Sequence, residues 1–232
     1  MSPFTYQYPR ASLTTDCCVF TFLNNELSVL LVKRAFDPDK GLWALPGGFM
    51  NMDETVEQCA VRELFEETGC KIKGELHQFG VYSDPGRDSR GRVVTVAFYA
   101  LAAMISVSGK DDATEARWFA VNSLPPLAFD HAKIIADAVK EMRKDIYFEP
   151  IGFELLPPAF SMAELQKVIE SITGESYDRR NFYNKMRHFN FVEEVSEEKS
   201  LDTTRRSKIK YFFNSESFNN HKRKKGSGPI TY

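Results

Sequence analysis

The chain has 232 residues, 43% hydrophobic and 27% charged, with a formal net charge of -2, which is enough for a sizeable core in one large domain or two modest ones. No apolar run reaches membrane-spanning length and the first residues, MSPFTYQYPR, lack the basic start and apolar stretch of a secretory signal, so a cytoplasmic protein with no membrane partner is expected. Cys17, Cys18, Cys59 and Cys70 have no metal-ligand spacing and read as buried free thiols. The small net charge hides a division: residues 151–232 carry 14 Lys/Arg against 11 Asp/Glu, and residues 1–150 carry 16 against 21. An acidic front and a basic back point to different partners.

Asp16 to Leu23 and Leu27 to Lys33 are β-rich apolar runs separated by Asn24-Asn25-Glu26, which predicts a hairpin. Arg34 follows it, either as a surface charge or as a contact for a substrate phosphate. Leu45-Pro46-Gly47-Gly48 then makes a tight apolar approach to a helix. Thr55-Val56-Glu57-Gln58 is a capping box that starts the helix, and Gly69 supplies the left-handed residue that stops it. Glu63, Glu66 and Glu67 stand at i, i+3 and i+4, so three carboxylates crowd one side, with Arg62 one turn before Glu66. Val61, Leu64 and Phe65 are expected to point into a core. Like charges packed together either lie in water or hold a cation, and the apolar context favours a site. Oxygen donors without His or Cys select Mg2+ or Mn2+, the ions that share their coordination with substrate phosphates. Hydrolysis of a phosphoanhydride is the chemistry implied.

Gly48, Glu54, Arg62-Glu63-Leu64, Glu66-Glu67, Gly69 and an apolar position filled by Cys70 occur at the spacing of the Nudix box, and this stretch resembles it at every fixed position. The resemblance implies an α/β fold, a Nudix α/β/α sandwich with a mixed sheet. It also implies that Glu63 and Glu67 are metal ligands, helped by Glu66 and the Gly47 carbonyl, while Glu54 and Arg62 hold loop and helix together.

Glu75 to Tyr82 and Arg92 to Val107 read as strands. Between them, Ser83 to Arg92 is a turn-rich loop with three arginines. By composition it is a solvated hairpin loop. It resembles the SxPxRDPRG loop of ADP-ribose pyrophosphatases and of NrtR-type regulators, with Ser89 in place of the usual proline, which implies Arg87 and Arg90 as phosphate or ribose contacts. Asp111, Asp112 and Glu115 precede or begin a short strand. Each is a candidate general base, and each is equally an ordinary exposed acid. A helix over Asp130 to Lys144 closes a domain spanning 1–148, with His131 at its start read as structural.

A linker over 149–160 carries buried apolar positions. Ser161 to Glu164 is a second capping box, Leu165, Val168, Ile169 and Ile172 give the next helix a buried stripe, and Gly174 ends it. Asp178 caps a further helix with Phe182, Met186 and Phe189 inward and Arg179, Arg180, Asn181, Tyr183, Asn184, Lys185 and Arg187 outward. Those outer side chains are the kinds that contact phosphates and base edges. A hairpin follows, its tip carrying Arg205, Arg206 and Lys208, so 161–220 reads as a winged helix-turn-helix, with a small protein-interaction domain as the alternative. Residues 221–232 form a basic tail, expected to be loose.

A Nudix part, a GFELLP link and DRRNF opening a helix together resemble the NrtR group of bacterial regulators. The group implies a homodimer that binds a double-stranded DNA operator and senses a small ligand, here ADP-ribose or another nucleoside diphosphate sugar. Two alternatives stand beside it: a dedicated pyrophosphatase whose C-terminal part dimerises or docks, and a pentose-responsive regulator without hydrolase activity.

Overall fold

The computed structural model describes residues 6–72, 74–103, 113–195, 209–225 and 230. Nine strands and five α-helices are assigned among them, in two compact units. The first unit is built on residues up to Thr21 and on Ser28–Ala138; the second takes Phe22–Leu27 and the chain from Val139 onward. No helix among the described residues is long and apolar enough to cross a membrane.

β1 (Ser12–Leu23) and β2 (Glu26–Arg34) form the expected hairpin, turning on Asn24 and Asn25, both with positive φ. β3 (Trp43–Ala44) and β4 (Gly47–Phe49) are short additions that add to β2 and β1. β5 (His77–Tyr82), β6 (Val93–Leu101) and β7 (Ala113–Ala120) complete a seven-stranded sheet of order β3-β2-β1-β6-β5, with β4 on β1 and β7 on β2. β1 and β6 run parallel while β5 and β7 pair antiparallel with their neighbours, so the sheet is mixed and the chain is α/β as expected. β6 ends at Leu101, short of the expected Val107, and residues 104–112 lie outside the described part.

Alternation along β1 sends Cys17 and Val19 to one face and Cys18 and Phe20 to the other, and all four are at most 1% exposed, so both faces of the sheet are covered. On the first face Cys17, Val19, Leu30, Val32 and Phe98 pack with Ala60 and Leu64 of α1 (Val56–Thr68). The Thr55–Gln58 capping box and the left-handed Gly69 are present. The buried stripe of α1 is Ala60, Leu64 and Thr68, at four-residue steps. Val61 and Phe65, expected in the core, lie one position round and are 52% and 41% exposed. α2 (His131–Asp145) is tied to β5 by the Tyr82 hydroxyl donating to Asp137 at 3.0 Å.

In the second unit the residues read as a linker form a 3-10 helix, Ile151–Leu155, with Ile151, Phe153 and Leu155 buried. α3 (Met162–Thr173) has its Ser161–Glu164 capping box and ends at the left-handed Gly174; α4 (Arg179–Arg187) is capped by Asp178. Glu170 organises the turn between them, accepting from Gln166 and from the Tyr177 amide at 2.9 Å each. β8 (Val192–Glu194) and β9 (Tyr211–Phe213) pair antiparallel as the base of the expected hairpin. Its tip residues Arg205, Arg206 and Lys208 lie outside the described residues. Phe153, Phe160, Phe191, Phe213 and Phe218 form an aromatic core. The chain then enters α5 (Ser215–Lys225), so the start of the tail is helical rather than loose.

Candidate functional site

The first unit holds a cavity of about 550 Å³ whose lining includes Glu63, Glu66 and Glu67 together with Arg34, Arg87 and Arg90. The carboxylates are positioned by the glycine pair before α1. The Gly47 amide donates to Glu67 Oε2 at 2.9 Å. A Cβ on Gly48 would run into the Glu63 carboxylate, and one on Gly47 into the Thr15 carbonyl, so only glycine lets loop and helix approach this closely. Arg62 is the organising cation. It donates to Glu63 Oε1 at 2.7 Å, Glu66 Oε2 at 2.9 Å, Glu54 Oε2 at 2.9 Å and the Phe49 carbonyl at 3.1 Å. Hydrogen bonds from Arg62 hold the Glu54 pKa down to about 2, while burial raises that of Glu63 above the ordinary 4.5.

Arg34 and Arg90 line the same cavity as these acids. Their guanidinium carbons lie 4.7 and 5.5 Å from the centre of the same ring, Phe129, and Arg90 also stacks on Phe49 at 5.0 Å. Burial, and next the nearby Arg90 charge, lower the pKa of Arg34. Two guanidinium groups thus stand close together at the cavity, where both can donate to an anion. Arg90 is held by a forked pair with Asp88, at 2.6 to 3.1 Å. Arg87 differs from both. Its side chain is only 5% exposed and is engaged by Asp130 at 2.6 Å and Asp16 at 3.4 Å, which makes it a strut for the loop.

His131 is buried and neutral: burial lowers its pKa, and Nδ1 accepts from the Leu45 amide at 2.8 Å. Nε2 then carries the proton and lies 3.4 Å from Asp16. The chain Asp130–Arg87–Asp16–His131–Leu45 thereby ties the arginine loop to the glycine loop. Glu115 sits opposite Lys33 on β7, pairs with Arg117 and does not line the cavity, while Asp111 and Asp112 lie outside the described residues. Phe49 and Phe129 were not singled out from sequence. An isolated Phe carries no signal, and the left-handed φ of 52° that aims Phe129 is unusual for a bulky residue.

In the second unit Arg179, Arg180, Asn181, Asn184, Lys185 and Arg187 are exposed along one side of α4, opposite the buried Phe182 and Met186. Tyr183 is half-buried, and its hydroxyl meets that of Tyr211 on β9 at 3.1 Å, so it braces helix against hairpin.

Residues 14–138, just over half of the chain, match the NUDIX domain model. The chain belongs to the Nudix family. Residues 152–213 match the NrtR DNA-binding winged helix domain, so a Nudix domain and a winged helix share this chain. An ADP-ribose pyrophosphatase of Methanocaldococcus jannaschii is 47% identical over 133 residues, 56% of this chain and 77% of that protein. The ADPR responsive transcriptional repressor NtrR of Acinetobacter baylyi is 31% identical over 197 residues, 83% of this chain and 78% of the repressor. The crystal structure of Shewanella oneidensis NrtR complexed with a 27mer DNA superposes with a TM-score of 0.73 at 27% identity, covering 89% of this chain and 95% of that one.

Nudix hydrolases generally use divalent metal ions. The donor set fits one in chemistry, since the acidic side of the cavity offers carboxylates and backbone carbonyls, the oxygen ligands of hard cations. Among the described residues no three acidic or imidazole side chains converge on one point. Glu63 and Glu66 are turned to Arg62, and Glu67 to the Gly47 amide.

Proposed function

We propose that this Nudix protein is a transcriptional regulator that binds double-stranded DNA as a homodimer and responds to ADP-ribose, which its Nudix domain also hydrolyses with Mg2+ or Mn2+. One observation carries the ligand assignment: Arg34 and Arg90 share the Phe129 ring and line one cavity with three carboxylates. A diphosphate uses both sides of that arrangement, and a neutral sugar uses neither. Arg34 and Arg90 neutralise the diphosphate, Phe49 and Phe129 give its organic parts apolar surface, and Arg87 with Asp130 fixes the loop that presents Arg90. Glu63, Glu66, Glu67 and the Gly47 carbonyl would hold the metal, which supplies charge stabilisation for the departing phosphate. Glu54 and Arg62 keep those ligands in register, and AMP and ribose 5-phosphate are the products.

The exposed side of α4 is the DNA-reading surface in this proposal. Arg179, Arg180, Asn181, Asn184, Lys185 and Arg187 contact phosphates and base edges, with Arg205, Arg206 and Lys208 of the hairpin tip as backbone contacts. Selection from random duplex DNA should return a two-fold symmetric site, and Arg179→Ala with Arg180→Ala should remove the preference. A thermal-shift panel of ADP-ribose, NAD, other nucleoside diphosphate sugars and free pentoses should give its largest shift with ADP-ribose. Stabilisation by arabinose or xylose alone would overturn the ligand assignment. The 47% identity to a pyrophosphatase favours a second reading, a dedicated hydrolase. Turnover of ADP-ribose without any enriched DNA site would establish that one instead.

A further inference from the structure

Arg87 and Phe129 line a second cavity of the first unit as well as the first, so the two are neighbours. The second has a volume of about 520 Å³, and its other lining residues are Asp39, Gly86, Ser89, Leu127 and Asp130. Three loops meet there, and contacts between them fix its shape. Asp39, at a left-handed φ of 61°, accepts from the Phe129 amide at 3.2 Å. Asp130 accepts from Arg87 at 2.6 and 3.0 Å, and Leu127 is bridged to Trp43. The walls of this cavity therefore hold one another.

Ser89 is the position at which the arginine loop departs from the pattern it resembles, where proline is usual. The ordinary explanation of a turn serine is that it holds its own turn or meets water. Other residues hold this turn. The Arg87 amide donates to the Asp84 carbonyl at 3.1 Å, while Asp88 accepts from the Arg90 amide at 2.9 Å through its side chain and from the Gly91 amide at 3.4 Å through its carbonyl. Among the described residues none pairs with the Ser89 amide or hydroxyl. Proline in its place would supply neither donor. Serine thus adds two donors to a cavity whose lining already holds the acceptors Asp39 and Asp130. Donors beside acceptors suit hydroxyl groups, each of which gives one hydrogen bond and accepts others. A phosphate group would be repelled by the two carboxylates.

We propose that this second cavity receives the distal sugar of the nucleoside diphosphate sugar, and that Ser89 is a specificity-determining residue that donates to the sugar's hydroxyls. The inference rests on the ADP-ribose reading above: a diphosphate engaged by Arg34 and Arg90 places one of its arms beside Phe129, which borders both cavities. The test is calorimetry of the full-length chain with EDTA present, so that binding is read without turnover. Its two ligands are ADP-ribose and ADP, which keeps the adenosine and the diphosphate and lacks the distal sugar. Ser89→Ala removes the hydroxyl, and Ser89→Pro removes the amide donor as well. Ser89→Ala should weaken ADP-ribose binding about two- to tenfold, the range of one neutral hydrogen bond, and Ser89→Pro should weaken it further. The affinity for ADP and the melting temperature should be unchanged in both variants. Unchanged ADP-ribose affinity in both overturns the proposal. Equal losses for ADP and ADP-ribose overturn it too, since Ser89 would then act on the adenosine arm or through the setting of Arg90. Binding of neither ligand by the unaltered chain would overturn the ADP-ribose reading itself.

Discussion

Glu67→Gln separates the chemistry of the acidic helix from its architecture. The Gly47 amide donates to Glu67 Oε2 at 2.9 Å, and the amide oxygen of Gln accepts the same bond. What is lost is its charge-assisted part: bonds to charged groups contribute about 1.5–3 kcal/mol and neutral ones about 1, so about 1 kcal/mol is at stake. Removing one of three neighbouring carboxylates returns a few tenths by relieving repulsion. The variant should therefore melt within about 5 °C of the unaltered protein. Turnover behaves differently, because a metal-binding charge has no neutral substitute. AMP release from ADP-ribose with Mg2+ should fall at least about a hundredfold, roughly 3 kcal/mol of transition-state stabilisation. DNA affinity without ligand should be unchanged. Equal rates for the two proteins would place hydrolysis elsewhere, and a melting point lower by more than about 10 °C would show that Glu67 acts through the fold.

Arg34→Ala and Arg90→Ala should each weaken ADP-ribose binding about ten- to a hundredfold by calorimetry, the range of one charged hydrogen bond, and neither should alter binding of a neutral pentose. Tyr183→Phe and Tyr211→Phe remove the two ends of one hydroxyl pair, so denaturant melts should show the double variant costing no more than about 0.5 kcal/mol beyond the larger single, against additivity if the pair is idle. Asp88 has its pKa depressed below 3.8, chiefly by the hydrogen bond from Arg90. A depressed acid stabilises the fold above its unfolded pKa and loses that contribution as pH falls through the folded value. The stability gap between the unaltered protein and Asp88→Asn should then be full at pH 7, at about 1 kcal/mol given the 40% exposure of Arg90, and should shrink only below pH 3.8. A gap already closing at pH 6 would contradict the assignment.

The capped helices were the most legible part of the sequence. Thr55 with Gln58, Ser161 with Glu164, and the glycines at 69 and 174 each act within a few residues, so local chemistry determines them. The acidic side of the cavity was legible for the same reason, since helix geometry alone brings Glu63, Glu66 and Glu67 together. Val61 and Phe65 were misread because apolar character does not say which of two adjacent stripes the sheet will cover. Ala60, Leu64 and Thr68 make the flatter, smaller one, and the sheet lies on it. β3 and β4 are too short to carry a period of two, and α5 has a single buried aromatic, Phe218, in an otherwise polar run. Arg34 and Arg90 were legible as candidates, one from its place after the hairpin and one from a loop resemblance, but their meeting on Phe129 depends on contacts between residues far apart in the chain, and no local pattern announces that.

Arg62 gives the acidic helix an internal counter-ion. Its guanidinium already occupies one oxygen each of Glu63 and Glu66 and both of Glu54, so the repulsion that would otherwise call for a metal is met within the chain. The carboxylates of α1 are thus held together by a side chain of the same helix, unlike the ligands of small domains that cannot come together without an ion. In the proposed function the ion can therefore arrive with the nucleotide rather than with the fold.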